Sequence, residues 1–182
     1  MAFSVTDFSS QLTFGGARPS LFEVQIFNPI NAAGNLKTPF MVRAAQLPAS
    51  TVGTINMPYF GRQIKIAGNR TFAEWTPTVI NDEDFLVRNA LEEWMANINN
   101  HQANLRTAGA GPADYKSTAL VTQFGKDGAV LRVVEFVGLW CSDISAIDLN
   151  WEAEGVEEFT VTFQYDYWQV VGGTTGTGGT TA

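Results

Sequence analysis

The sequence predicts a mainly β domain with a single helix, an α+β chain, and three observations carry that expectation. Residues 158–167 alternate without a break, with Phe159, Val161, Phe163, Tyr165 and Tyr167 on one side and Glu158, Thr160, Thr162, Gln164 and Asp166 on the other. A period of two marks a strand with one face in a core and one in water. Turn-forming Gly, Pro and Asn clusters separate several further apolar runs, as antiparallel strands joined by loops require. Helical spacing occurs with conviction in one place, where Val87, Leu91, Trp94 and Ile98 follow at intervals of four, three and four and so share one stripe.

Taken in order, residues 1–20 form an N-terminal arm ahead of the first strand, LFEVQIFN (21–28), in which Phe22, Val24 and Ile26 oppose Glu23 and Gln25. Turn chemistry in NPINAAGNLK, with Pro29, Gly34 and Asn35, leads into TPFMVRAAQL (38–47), and the two strands are expected to pair as a hairpin. Residues 48–57 lack a firm period and are expected to be a long connection. A third strand near 59–67 should return through a turn at Gly68–Asn69 into a fourth near 70–80. Pro77 has no N–H for a ladder and points to an edge or a bulge there. Asn81 or Asp82 can cap the helix, and Asp82, Glu83 and Asp84 sit where its dipole favours negative charge. Strands near 116–124 and 129–140 flank a GKDG turn, and a last pair is expected near 146–151 and 156–168. The folded domain is thus 1–168. The glycine- and threonine-rich residues 169–182 offer too little apolar surface to order themselves and read as a flexible tail.

With 182 residues, 45% of them apolar, and thirteen Phe, five Trp and four Tyr, the chain can fill the core of one domain. A lone Cys141 and a lone His101 exclude an internal disulfide and a Cys/His zinc centre. The start of the chain has no basic, apolar leader, and no apolar run is long enough to cross a bilayer, so a soluble, non-secreted protein without membrane insertion is expected. The formal charge of −7 is unevenly placed: eight carboxylates and no Lys or Arg follow Arg132, which leaves the first 132 residues at +1. Tight binding of a phosphate backbone needs clustered cations, so any relation to nucleic acid should be transient.

A search for chemistry returns little. Asp82, Asp84 and Glu93 fall at the first, third and twelfth places of a calcium loop, but Leu86 and Val87 occupy places that need an oxygen ligand and the turn glycine. An acidic helix start explains the three. His101 has no second histidine or adjacent nucleophile and fits a cation at a helix C-terminus. Cys141 fits a buried inert thiol. No nucleophile, base and orienting group can be nominated together, so no catalysis, cofactor or metal is expected. Arg62, Lys65 and Arg70 with Tyr59 and Phe60 form a small cationic, aromatic patch, and the acidic second half of the same chain could meet it in self-assembly. From composition alone, a monomeric ligand-binding β-barrel is a second reading.

One long segment, GRQIKIAGNRTFAEWTPTVINDEDFLVRNALEEW, stands among ARPSLFEVQI, AAQLPAST, GPADYKSTALVTQF and VEFVGLWCSDISAIDLNWEAEGVEEFTVTFQYDYW. Together and in this order, from about Ala17 to Trp168, they resemble the tail tube proteins of contractile-tailed bacteriophages. The resemblance implies a small β-barrel-like fold of two packed antiparallel sheets with one flanking helix, shared with type VI secretion tube proteins. It also implies homohexameric rings that stack into a tube in the virion tail, assembled in the host bacterial cytoplasm. The implied partners are other copies of the chain, a tail sheath protein, tape-measure and baseplate proteins, and DNA passing through the lumen. A tube of a phage-derived injection or type VI secretion system, carrying protein, is the alternative it leaves open. Subunit and ring-stacking contacts are then expected at Arg18 and Pro19 of the arm, at Val52, Ile55, Met57, Tyr59 and Phe60 of the apolar connection 48–60, and at Arg62 and Arg70. The long NPINAAGNLK turn and the Gly/Thr tail depart from the family's pattern.

Overall fold

The computed structural model describes residues 4–107, 109 and 111–179. In chain order these contain α1 (Val5–Gln11), β1 (Phe22–Ile26), α2 (Thr38–Met41), β2 (Val42–Ala44), β3 (Ser50–Tyr59), β4 (Arg62–Phe72), β5 (Thr78–Ile80), α3 (Leu86–Ile98), β6 (Ser117–Phe124), β7 (Val130–Ile144), β8 (Glu158–Gln164) and β9 (Tyr167–Gly172). The long strand β7 organises them. Its first half pairs with β6 on one side and β9 on the other, and its second half, Trp140–Ile144, pairs with β8. Continued through β5 and β2, the order is β1-β6-β7-β8-β5-β2, antiparallel throughout.

Between its two halves β7 turns at Gly138, whose φ is +72° and whose missing Cβ leaves room for the Asp166 carboxylate; glycine meets both needs at once. β8 and β9 are two pieces of one line along β7, broken at Tyr165–Asp166, where the Asp166 amide still donates to Val137 O at 3.0 Å. The seven-stranded sheet therefore curls into a half-barrel with α3 against it, the barrel-like fold and flanking helix that the resemblance implies. The core lies between: Trp75 stacks on Phe136 with ring centroids 4.5 Å apart and meets Phe163 at 5.6 Å, and Trp94 reaches Phe163 from α3 at 6.2 Å. Each such ring removes about 150–250 Å² from water. The indole N–H groups of Trp75 and Trp94 donate to Gln46 O and Tyr115 O at 2.9 and 2.8 Å, so burial leaves neither unsatisfied.

The helix, the β6–β7 hairpin across GKDG and the alternation of β8 lie where expected. Val87, Leu91 and Trp94 are buried and Ile98 packs on the core. Other expectations are corrected. The segment 38–47 is not a strand paired with 21–28: Pro39 sits in the first turn of α2, and the short β2 pairs with β5. β1 pairs with β6 instead. The NPINAAGNLK segment serves as an anchor, with the Asn28 side chain donating to Ala90 O of α3 at 2.7 Å and accepting from the Ile30 and Asn31 amides. Residues 70–80 are not one strand. β4 ends at Phe72, Trp75 makes an isolated bridge to Phe163, and β5 begins after the buried Pro77, whose carbonyl accepts from the Val161 amide. Residues 146–151 form no strand, and β8 takes the second half of β7 as partner. The ladder also runs four residues beyond Trp168, to Gly172, with the Thr174 and Thr175 amides donating to Val130 O and Leu131 O.

The acidic run before α3 has a partner in Lys37, whose ammonium bonds Asp82 and Asp84. Those bonds raise the Lys37 pKa and lower both carboxyls. Neither Asn81 nor Asp82 caps the helix: the cap position is Phe85, at φ 51° and without a side-chain cap, and Asp84 just before it accepts from the Leu86 amide at 3.1 Å. Asn81 is buried and donates to Glu157 at 2.8 Å.

Candidate functional site

Residues 50–72 form a free-standing two-stranded ribbon. β3 and β4 pair with each other and with no other strand. At about 3.3 Å per residue the ribbon is roughly 30 Å long. At its root the Trp168 indole N–H donates to Ala49 O at 3.4 Å, and the Phe72 ring lies 6.1 Å from that of Tyr165. Strand alternation sorts its side chains cleanly. Ile55↔Ile66, Met57↔Ile64 and Tyr59↔Arg62 share one face; Val52↔Arg70, Thr54↔Ala67, Asn56↔Lys65 and Pro58↔Gln63 share the other. The first face is apolar and uncovered, from 43% exposure at Ile66 to 64% at Tyr59. A lone two-stranded ribbon is marginal in water, and an apolar face on it calls for a partner.

The ribbon corrects two expectations. Residues 48–57 are largely strand rather than connection, and the turn falls at Phe60–Gly61, both at positive φ (43° and 75°). Gly68–Asn69 instead supplies the extra residue of a bulge opposite Gly53, where a Cβ on Gly68 would meet the Gly53 carbonyl at 3.2 Å.

Two further exposed apolar elements accompany it. In the arm, Ser4 caps α1 by accepting from the Asp7 amide at 3.3 Å, and Val5, Phe8 and Leu12 share a stripe of which nothing is buried. The segment between β7 and β8 carries Leu149, Trp151 and Val156, exposed among Asp148, Glu152 and Glu154; Trp151 has no shielding at all.

Of the expected contact residues, Val52, Ile55, Met57, Tyr59, Phe60, Arg62 and Arg70 come together on the ribbon, all exposed. Arg18 and Pro19 are exposed in the arm and belong to another part of the surface. The arm and the approach to the ribbon nonetheless meet in one cleft of about 400 Å³, between Ala17, Leu47, Pro48 and Trp168. Ile64 and Ile66, on the same face as Met57, escaped the sequence reading although they alternate with Gln63 and Lys65. The 149–156 cluster escaped it as well; its signal was three large apolar residues inside an acidic loop.

The charges divide by region. Lys37, Arg43, Arg88 and Lys116 are paired with carboxylates on the body, while Arg62, Lys65 and Arg70 form no ion pair among the described residues. On the side of β1, β6, β7 and β9 turned away from the core stand Glu23, Gln25, Thr118, Leu120, Thr122, Val133, Glu135, Val137, Tyr167 and Gln169. Their two carboxylates are held by amides, Gln25 donating to Glu23 and Gln169 to Glu135, each at 2.8 Å. Among the described residues of these four strands, no Lys or Arg stands on that face.

The sequence model of the family described as phage tail tube protein matches residues 17–171. The chain belongs to that family. Tail tube protein gp19 of Enterobacteria phage T4 is 37% identical over 155 residues, covering 84% of this chain and 91% of the relative. Tail tube protein gp19 of Enterobacteria phage T6 is 38% identical over the same length. Among solved structures, a chain of the sheath-tube complex of the extracellular contractile injection system PVC superposes with TM-score 0.59 at 11% identity, over 93% of this chain and 99% of that one. A chain of the anti-feeding prophage baseplate gives 0.64 at 11%, over 86% and 96%. At such identities the likeness speaks for the fold. As a tail tube protein the chain is a structural virion component and not an enzyme. No helix of the described residues is long and apolar enough to cross a membrane.

Proposed function

We propose that six copies of this chain close into a ring, that rings stack into the inner tube of a contractile phage tail, and that DNA leaves the virion through the bore. The ribbon carries the reading: an apolar strip of Ile55, Met57, Tyr59, Ile64 and Ile66 on a two-stranded arm has no use in an isolated subunit and a clear one between subunits. Arg18 and Pro19 in the arm, with Val52, Phe60, Arg62 and Arg70, extend the contact. A sheath protein outside the tube and baseplate and tape-measure proteins at its end and within it are the partners, and assembly takes place in the host cytoplasm. The cation-free face carrying Glu23 and Glu135 suits the bore, because a wall without Lys or Arg gives phosphates nothing to release counterions against and lets the polymer slide. Relatives at 37% and 38% identity come from phages, which favours DNA over protein as cargo.

The test is growth of tubes from purified subunits, followed by negative-stain electron microscopy and sedimentation. The double variant Met57→Asp, Tyr59→Asp keeps its fold, since both side chains are exposed, and fails to form tubes. Tubes of normal yield from that variant would overturn the assignment of the ribbon.

A further inference from the structure

Outside arm and ribbon, the acidic loop between β7 and β8 carries the most exposed large apolar side chain among the described residues, Trp151. Leu149 is 80% exposed, Trp151 104% and Val156 71%. Side chains of this kind on a loop cost solubility and contribute nothing to the core, so they call for a partner. Asp148, Glu152 and Glu154 stand among them with no ion pair among the described residues, and the indole face of Trp151 is open to a cation.

The features that would satisfy this loop occur on the same chain. The ribbon tip presents Phe60 at 90% exposure and Tyr59 at 64%, together with Arg62 and Lys65, both without an anionic partner among the described residues. Apolar thus matches apolar, and cation matches anion. Within the subunit the two surfaces do not cover each other, since Trp151 is fully exposed and Phe60 nearly so; the ribbon's root lies beside Tyr165 and Trp168, past the C-terminal end of β8, whereas the loop leads into the N-terminal end of that strand at Glu158. Two different, complementary patches on one chain define a heterologous contact, in which each copy offers one patch to one neighbour and the other to the next, and such contacts repeat without an intrinsic stop.

We infer that the ribbon tip of one copy docks on the 148–156 loop of a second copy, with Tyr59 and Phe60 packed against Leu149, Trp151 and Val156, and with Arg62 and Lys65 facing Asp148, Glu152 and Glu154. This rests on the reading of the ribbon as an assembly contact and adds its receptor. Trp151 is the anchor, as buried aromatic residues commonly are at the centre of an interface, and the charges set orientation and partner choice.

A charge exchange tests it. The ribbon-side variant Arg62→Glu, Lys65→Glu and the loop-side variant Glu152→Lys, Glu154→Lys each raise the protein concentration needed for tube growth roughly tenfold or more, and mixing both exchanges in one chain restores growth to within about threefold of the parent. Trp151→Ala, which changes no charge, also raises that concentration, while its circular dichroism and melting temperature stay those of the parent. If the loop-side variant and Trp151→Ala grow tubes like the parent while Met57→Asp, Tyr59→Asp does not, the pairing is wrong and the ribbon reading stands. If both single-sided variants fail and the combined one fails equally, the two surfaces act on different partners and the pairing is again wrong. Loop-side variants that form normal tubes but no longer hold the sheath protein would give the loop to the sheath and overturn the inference. Tubes from Met57→Asp, Tyr59→Asp itself would remove the ribbon reading and this inference with it.

Discussion

Cys141 shows how strongly this core shapes a single side chain. It is 1% exposed on β7, between the half-buried Trp140 and Ser142, and its Sγ lies 3.8 Å from the Asp143 carbonyl. Burial pushes the thiol from its ordinary 9.0 up to about 12. The thiolate is the reactive form, so Ellman's reagent should leave Cys141 untouched at pH 8 in the folded subunit and titrate it fully in urea. The same shift couples to stability. Above pH 9 the unfolded chain releases the thiol proton and the folded chain keeps it, so stability present below that pH is lost as pH rises toward 12. At pH 10.5 the loss attributable to this group is about 2 kcal/mol. Urea unfolding of the parent and of Cys141→Ala at pH 8 and pH 10.5 checks it: the parent should lose about that much more than the variant. Equal losses would show that the thiol already meets water in the native state.

At the scale of elements, the ribbon turn sets local chemistry against assembly. A two-residue turn with both φ positive favours Asn-Gly, and Gly61 fits its place. Phe60, at φ 43° and packed edge-on to Tyr59 at 4.7 Å between ring centroids, does not: a bulky residue in the left-handed region costs about 1–2 kcal/mol. An aromatic residue kept there against its backbone preference points to a surface chosen for a partner. Phe60→Asn should therefore slow exchange of the ribbon's amide hydrogens, by up to about tenfold near Tyr59 and Arg62, while raising the concentration needed for tube growth. Unchanged growth would show that Phe60 is no contact. The turn also explains what the sequence hid. Residues 50–59 do alternate, but Gly53 and Pro58 interrupt the pattern, the true turn lacks its usual Asn, and the one strong turn dipeptide, Gly68–Asn69, is spent on a bulge. Where local signals were consistent the reading held: the Val87, Leu91 and Trp94 stripe, the GKDG hairpin, the alternation of 158–164. Pairings between distant segments were not legible. Nothing local in Val24 or Ile26 shows that β1 will lie on β6 with Val24 opposite Val121, so the nearer segment 38–47 was the natural but wrong partner. The exposed apolar residues of the ribbon were legible as an apolar run too long for an idle loop, whereas residues 146–151, with Trp151, read as a strand and are a loop.

For the whole molecule, the division between a closed core and uncovered extensions decides what can be removed. The core of Trp75, Trp94, Phe136, Phe159 and Phe163 is built from β1, β2, β5 to β9, α3 and the Trp75 segment that leads into β5. None of the arm's described residues, 4–20, is buried: α1 has no buried residue, and the Val5, Phe8 and Leu12 stripe faces water. On the proposed assembly, folding and tube growth depend on different residues of one chain. Removing residues 1–16 should leave the core untouched, and surface changes away from the core stay within about 0.5 kcal/mol. For a domain of this size that is a shift of about 2 °C or less in Tm. If the arm covers a neighbouring copy, the shortened chain should be more soluble than the parent, because four exposed large apolar residues, Val5, Phe8, Leu12 and Phe14, have gone, yet it should remain a monomer or small oligomer at concentrations where the parent grows tubes. Calorimetry and sedimentation velocity on the two chains read both quantities. A Tm lower by 10 °C would place the arm in the subunit's own fold, and tubes of ordinary length from the shortened chain would leave its apolar stripe without a role in stacking. The expected pair of results, unchanged melting and lost growth, is what separates a subunit that folds first and then assembles from one whose extensions order only as its neighbours arrive.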